Sequence, residues 1–361
     1  MKINTLLSTP PNWAPDRNTT EGIVVGSIVR LVRNLAGFPF PGWSTAEKRA
    51  AVAARVLPVI KSIQGFKTAF YAELSQLSYG QRRALLTRKQ LTPCMAARQD
   101  GCHVIIPPRR HTLLMVNEEE HIVAHSFQDG LNLERGIKEM KQLAQQLEQN
   151  LELAYAPQHG YLTSIPSEAG DGLQLYCLLH LPGLTCANMM NQITKALEKL
   201  HVSISPYFSD TQDDTGHLFV LFSIPGPEDS VNEMLDSFEN VVQHIVCREQ
   251  QVRRKLLADS GQYLQDAIGR AYGLLTNCCR LSVKELRDAI SLLRLGTLVG
   301  IIQWEEGESD ILIALNTLTL EQACITAMAE ENGEPNLFQQ RARAARDFLN
   351  NHPHHFSESN A

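Results

Sequence analysis

The sequence predicts an α+β fold, with strands and helices mixed to about residue 255 and only helices after it. Three observations predict this. Short β-branched and apolar runs recur between residues 23 and 224, separated by helical patterns. From Ser230 onward, apolar residues recur at helical spacing. Capping boxes of the form Ser/Thr-x-x-Glu/Gln stand at Ser44, Ser282 and Thr319.

The elements follow in order. Residues 1–20 read as a loose leader. The run 23–34 (IVVGSIVRLVRN) reads as a strand, and the box at Ser44-Thr45-Ala46-Glu47 opens a helix to about Gln64. The segment 76–100 is polar and basic, with Arg82, Arg83, Arg88 and Lys89. Strands are expected at 103–107, 111–116 and 121–127. A helix over 132–149 keeps Leu133, Ile137, Met140, Leu143, Ala144 and Leu147 on one face. Further strands are expected at 161–165, 173–181, 202–208 and 217–224, with a helix over 187–200. A long helix runs from Ser230 to about Leu257. This divides the chain into 21–255, a helical region 256–350 and a polar, frayed tail 351–361.

Composition bounds the function. A chain of 361 residues implies about two domains. With 43% hydrophobic and 20% charged residues it is globular, which excludes a disordered or fibrous protein. The net charge of −6 argues against a general nucleic-acid binder. No run reaches the roughly 18 apolar residues of a membrane helix. The first residues carry Pro10, Pro11 and Pro15 and lack the apolar core of a signal peptide, so a cytoplasmic protein is expected. The eight cysteines form no CxxC pair, and they read as small buried hydrophobes. No metal site is expected.

One string stands out chemically. Glu118, Glu119 and Glu120 lie between two apolar runs. Side chains alternate along a strand, so three adjacent acids cannot share one face. Either one of them enters a cleft and accepts a guanidinium, or the three form a solvated acidic turn.

Four segments in order, IVVGSIVRLVRNLAGFPFP (23–41), MVNEEEHI (115–122), HGYLTSIPSEAGDGL (159–173) and ITKALEKLHVSISPYFSDTQDDTGHLF (193–219), resemble the ATP:guanido phosphotransferases. The helical C-terminal stretch ISLLRLGTLVGII (290–302) is similar to the bacterial protein-arginine kinase branch. The resemblance covers about residues 20–330. It implies an antiparallel sheet flanked by helices, with phosphoryl transfer from Mg-ATP to protein arginine if the chain is active. It also implies Glu119, beside Glu118, as the guanidinium-binding catalytic acid. Such kinases use five arginines on the phosphates. The resemblance places one at Arg30, beside Ser27, and finds the others replaced by Ile28, Val123, Gln174 and Ser205. Glu168 and the acidic loop with Asp210, Asp213 and Asp214 also replace family residues.

Each charge-assisted hydrogen bond to phosphate contributes roughly 1.5–3 kcal/mol, so four losses remove on the order of 6–12 kcal/mol if they add. The expectation is a pseudokinase acting as a regulatory or protein-binding factor, without a cofactor. Two alternatives stand beside it. One is an active kinase in which Arg33, Arg82, Arg83, Arg109 or Arg110 reaches the nucleotide. The other is a chaperone that holds client segments. The expected partners are arginine-containing client proteins, a small zinc-containing activator implied by the resemblance, and a second copy of the chain. Leu286, Ile290, Leu293 and Val299 would serve either a partner surface or a core. Arg341, Arg343 and Arg346 read as a solvated helix face with an Arg343–Asp347 pair.

Overall fold

The computed structural model describes residues 3, 6, 22–108, 111–208, 216–224, 230–305, 315 and 336–357. Apart from Ile3 and Leu6, the leader lies outside the described residues. So do Arg109, Arg110, the acidic loop 209–215 and the capping box at Thr319.

Strand β1 (Val24–Arg33) leads into α1 (Ala46–Ser62), whose cap is Thr45 rather than Ser44: the Thr45 hydroxyl accepts from Lys48 N. Then come β2 (Phe70–Glu73) and two short helices, α2 (Tyr79–Thr87) and α3 (Pro93–Arg98). The capping box at Ser78-Gln81 and the Thr92 cap before Pro93 give the basic segment a helical form that its polarity had hidden. Next are β3 (His103–Ile106), β4 (Thr112–Val116), β5 (Ile122–Asp129) and α4 (Leu133–Glu148). A small ribbon of β6 (Tyr155–Ala156) and β7 (Gly160–Tyr161) replaces the longer strand expected at 161–165. Beyond it lie β8 (Leu173–His180), α5 (Pro182–Cys186), α6 (Met190–Leu197), β9 (Val202–Pro206) and β10 (Leu218–Ser223).

The large sheet has eight strands in the order β2-β3-β4-β5-β1-β8-β10-β9, and every neighbouring pair is antiparallel. One face packs on α1, α4 and the start of α7 (Val231–Asn277), through Val29, Leu31, Leu114, Ala124, Leu175 and Cys177 from the strands. Helix α4 lies so close to β1 that a Cβ on Gly136 would stand 2.6 Å from the Val29 methyl. The other face is covered on one side by Leu74, Leu85 and Met95, around α2 and α3. Leu6, Tyr207 and Phe208 pack on another part of that face, and a cleft opens around Arg30.

Helix α7 does not stop near Leu257. It runs on to Asn277 through one non-helical residue, Ser260 (φ −143°, ψ 30°). Its second half packs with α8 (Val283–Leu298) and α9 (Leu337–Asn351) around a separate core. Leu286, Ile290 and Leu293 are buried in that core and Val299 packs against it, so these residues are spent within the chain. The C-terminal region is not purely helical, and its tail is not wholly frayed. β11 (Ile302–Trp304) pairs with β12 (His354–Phe356), and His354 packs on Trp304 and Tyr272. The Arg343–Asp347 pair does not form. Arg341 and Arg346 turn inward instead and donate to the carbonyls of Leu281 and Cys278. Among the described cysteines, Cys102 and Cys177 are buried as expected, whereas Cys186, Cys247 and Cys279 are exposed.

A buried polar seam joins the two regions. The Glu249 carboxylate accepts from Gly183 N and Leu184 N (both 2.8 Å), capping α5, and from Arg253 (2.6 Å). Arg253 in turn donates to His180 O. Ser291 Oγ lies 2.8 Å from His180 Nε2 and 2.7 Å from His217 Nδ1. The hydroxyl can donate to one imidazole and accept from the other, an arrangement open to two neutral rings. Burial, with Arg294 and Arg253 nearby, holds His180 well below its usual pKa.

Glu249→Ala strands a buried guanidinium and should lower the unfolding free energy by about 3–5 kcal/mol in urea titration. His180 is neutral when folded but protonates near pH 6.5 when unfolded. Its contribution is therefore complete above about pH 6.5 and is lost as the pH falls below that value. The urea midpoint should drop more steeply between about pH 7 and pH 5 for the parent than for His180→Gln.

Candidate functional site

The strand register builds the cleft. Arg30 on β1 stands opposite His125 on β5 and Gln174 on β8, and Ile28 stands opposite Tyr176. Cross-strand partners share a face, so these side chains point into one space of about 520 Å³. Met115 and Val123 complete the floor. Thr92 and Cys94 at the start of α3 form a wall, and Glu118, Glu119 and Glu168 form the rim.

Arg30 Nη1 donates to Gln174 Oε1 at 2.7 Å and to Glu168 Oε2 at 3.2 Å. The Tyr176 hydroxyl donates to the same Gln174 oxygen at 2.9 Å. Burial opposes the charge on Arg30, but Tyr176, Glu168 and Glu118 outweigh it and the pKa rises. His125 faces the cleft without a hydrogen bond among the described residues, and burial beside Arg30 pushes its pKa down to about 3.

The loop between β4 and β5 holds the acids. Asn117 sits at φ 61°, a left-handed turn position that asparagine tolerates, and its amide donates to the carbonyls of Arg49 and Gly101. Glu118 is buried and accepts from Thr92 Oγ1 and from Glu119 N. Glu120 is buried and accepts from Asn34 Nδ2 (2.6 Å), Ser164 N (2.8 Å) and Ser164 Oγ (2.6 Å). His121 Nδ1 accepts from Leu35 N and its Nε2 donates to Pro39 O, so the ring is neutral with its proton on Nε2. Of the three acids in this loop, Glu119 alone has no hydrogen bond to its carboxylate among the described residues, and it is exposed at the cleft. Partial burial, followed by repulsion from Glu118, raises its pKa. The arrangement is thus a mixed floor of apolar and polar side chains beneath an acidic rim, and among the described lining residues its one guanidinium is already engaged.

A family model of the ATP:guanido phosphotransferase C-terminal catalytic domain matches residues 51–252. The chain belongs to the ATP:guanido phosphotransferase family. The protein-arginine kinase McsB C-terminal domain matches residues 261–359, so the two matches meet around Ser260. A protein-arginine kinase of Shouchella clausii is 27% identical over 341 residues, which cover 93% of this chain and 94% of that protein. Another, from Moorella thermoacetica, is 28% identical over 294 residues, covering 81% and 84%. Among solved structures, a lombricine kinase superposes with TM-score 0.56 at 19% identity, over 70% of this chain and 72% of that one. The duplicated taurocyamine kinase of Schistosoma mansoni gives TM-score 0.58 at 19% identity, over 78% of this chain and 39% of the longer one. These structures share the fold: an antiparallel sheet flanked by helices.

In this family member the cleft gathers Arg30, Glu118 and Glu119 together with Ile28, Val123 and Gln174, three of the positions read as replaced arginines. It does not gather Ser27, whose Oγ accepts from Asn132 N on the opposite face of β1. Nor does it gather Ser205, on edge strand β9. Thr92, Cys94, Met115, His125 and Tyr176 were not singled out in the sequence. A period of two from Val123 and from Gln174 would have found His125 and Tyr176. Among the described residues, no helix is long and apolar enough to cross a membrane, and no group of His, Cys, Asp and Glu is arranged to hold a metal.

Asn34 ties the acidic loop to β1. Asn34→Ala leaves a buried Glu120 oxygen and His121 N without their partners, and should cost about 3 kcal/mol in urea unfolding.

Proposed function

We propose that this chain keeps the kinase fold as a protein-binding factor that recognises an arginine side chain at Glu119 and has lost phosphoryl transfer from ATP. One observation carries the reading: Arg30 already has its anionic partner in Glu168 and a second acceptor in Gln174. Holding a triphosphate needs several positive donors that converge on it. Here Ile28 and Val123 offer methyl groups at the cleft floor, and Glu168 would repel the phosphates. The residues present do not fit Mg-ATP, so we derive no step through it.

Of the five substitute arginines, Arg109 and Arg110 lie outside the described residues, and the other three do not favour an active enzyme. Arg33 points to the other face of the sheet, where it packs on Tyr161 and donates to Asp171 O and Glu148. Arg82 donates to the carbonyls of Leu74 and Leu77. Arg83 lies beside Tyr79, away from the cleft.

The acidic rim suits a cation instead. A guanidinium has a planar fork of donors that matches a carboxylate, and its aliphatic stem would lie along Ile28, Met115 and Val123. The relatives named protein-arginine kinase act, by that name, on the same group. Calorimetric titration of the full chain checks the reading. Mg-ATP should give no binding in the micromolar range. An arginine-bearing peptide should bind and weaken about tenfold or more on Glu119→Gln. Micromolar binding of Mg-ATP would overturn the reading.

A further inference from the structure

Trp43 is 86% exposed, the most exposed of the large hydrophobic side chains described. Tryptophan is among the residues most enriched at the energetic centres of protein interfaces. The Trp43 backbone is held in a tight turn. It ends the turn Pro41–Trp43, where Trp43 N donates to Phe40 O at 3.0 Å, Pro41 is buried, and the Phe40 ring stacks on His121. The backbone that carries the indole is therefore fixed in place.

The turn sits at the edge of the acidic loop. A Cβ on Gly42 would stand 3.9 Å from Arg98 Nη2. That nitrogen lies 3.2 Å from Cys94 Sγ, on the cleft wall, and Arg98 Nη1 donates to the carbonyls of Asn117 and Glu118. On the other side, Arg49 Nη1 donates to Ser44 O, and the Arg49 carbonyl holds the Asn117 amide. Trp43 is thus joined to the Glu119 loop through two arginines.

We propose that the cleft and Trp43 form one continuous docking surface for an extended polypeptide segment. An arginine of that segment enters the cleft, and an apolar side chain near it packs on the Trp43 indole. The inference rests on the arginine reading of the cleft and adds the second contact. Charge selects the occupant: three carboxylates rim the cleft, while Arg30 is engaged by Glu168 and Arg98, beside Cys94, by the Asn117 and Glu118 carbonyls, so the inserted group is a cation. At the indole the balance differs. Arg98 lies beside the turn and would repel a second cation, so dispersion and burial favour an aliphatic or aromatic partner there.

The test uses the full chain and fluorescein-labelled glycine-serine peptides that carry one arginine. In a second set, one leucine is walked outward from the arginine on either side. At some spacing the leucine should improve binding about tenfold, and Trp43→Ala should bring that peptide back to the affinity of the plain one. Trp43→Phe should keep part of the gain. The inference is overturned if no spacing gives a gain, or if the gain survives Trp43→Ala. If arginine peptides bind through Glu119 and only the leucine effect fails, the arginine reading survives. If they do not bind at all, both fall.

Discussion

A single buried carboxylate holds the site together. Glu120 accepts two hydrogen bonds from Ser164 and one from Asn34, and Asn34 also engages His121 N and Leu162 O. Three segments meet there: the end of β1, which carries Arg30; the loop that presents Glu119; and the loop that delivers Glu168. Burial raises the pKa of Glu120, and the three donors work against that rise. This node ties the loop of Glu119 to the strand of Arg30, beside the separate anchors of Glu118 on Thr92 and of Asn117 on the Arg49 and Gly101 carbonyls. The catalytic-looking string therefore does mostly structural work. Asn117, Glu118, Glu120 and His121 shape the loop, and Glu119 alone is left at the cleft for a ligand.

The same economy applies to the charges opposite. A lone guanidinium on a cleft floor would be costly to bury without a partner. Glu168 and Gln174 supply that partner within the chain, so Arg30 is satisfied before any ligand arrives. Ile28 and Val123 then close the floor with apolar surface. On the proposed reading, a cleft built this way would repel polyanions and take a cation on an aliphatic stem.

Much of this was legible in the sequence, for identifiable reasons. The strands from 103 to 127 and the helix at 133–148 carry strong periodicity, and their spans agree closely with the reading. The two short helices at 79–98 were hidden because their caps, Ser78 and Thr92, lie in a polar segment with little amphipathic pattern. The pairing of β11 with β12 was invisible because it joins short segments far apart in the chain. At the site, Arg30, Glu118, Glu119, Ile28, Val123 and Gln174 were found by motif, and the register brings them together. Ser27 was misleading for a physical reason: one residue along a strand reverses the face. His125 and Tyr176 were missed because nothing in the motif points to them, although strand alternation does.

The most direct test of the account is phosphoryl transfer itself. The chain, in excess over γ-labelled ATP with Mg2+, would be incubated with an arginine-rich protein, and acid-labile label on arginine counted. The account predicts no label above that of Glu119→Gln. Label transferred by the parent chain and lost in Glu119→Gln would contradict it.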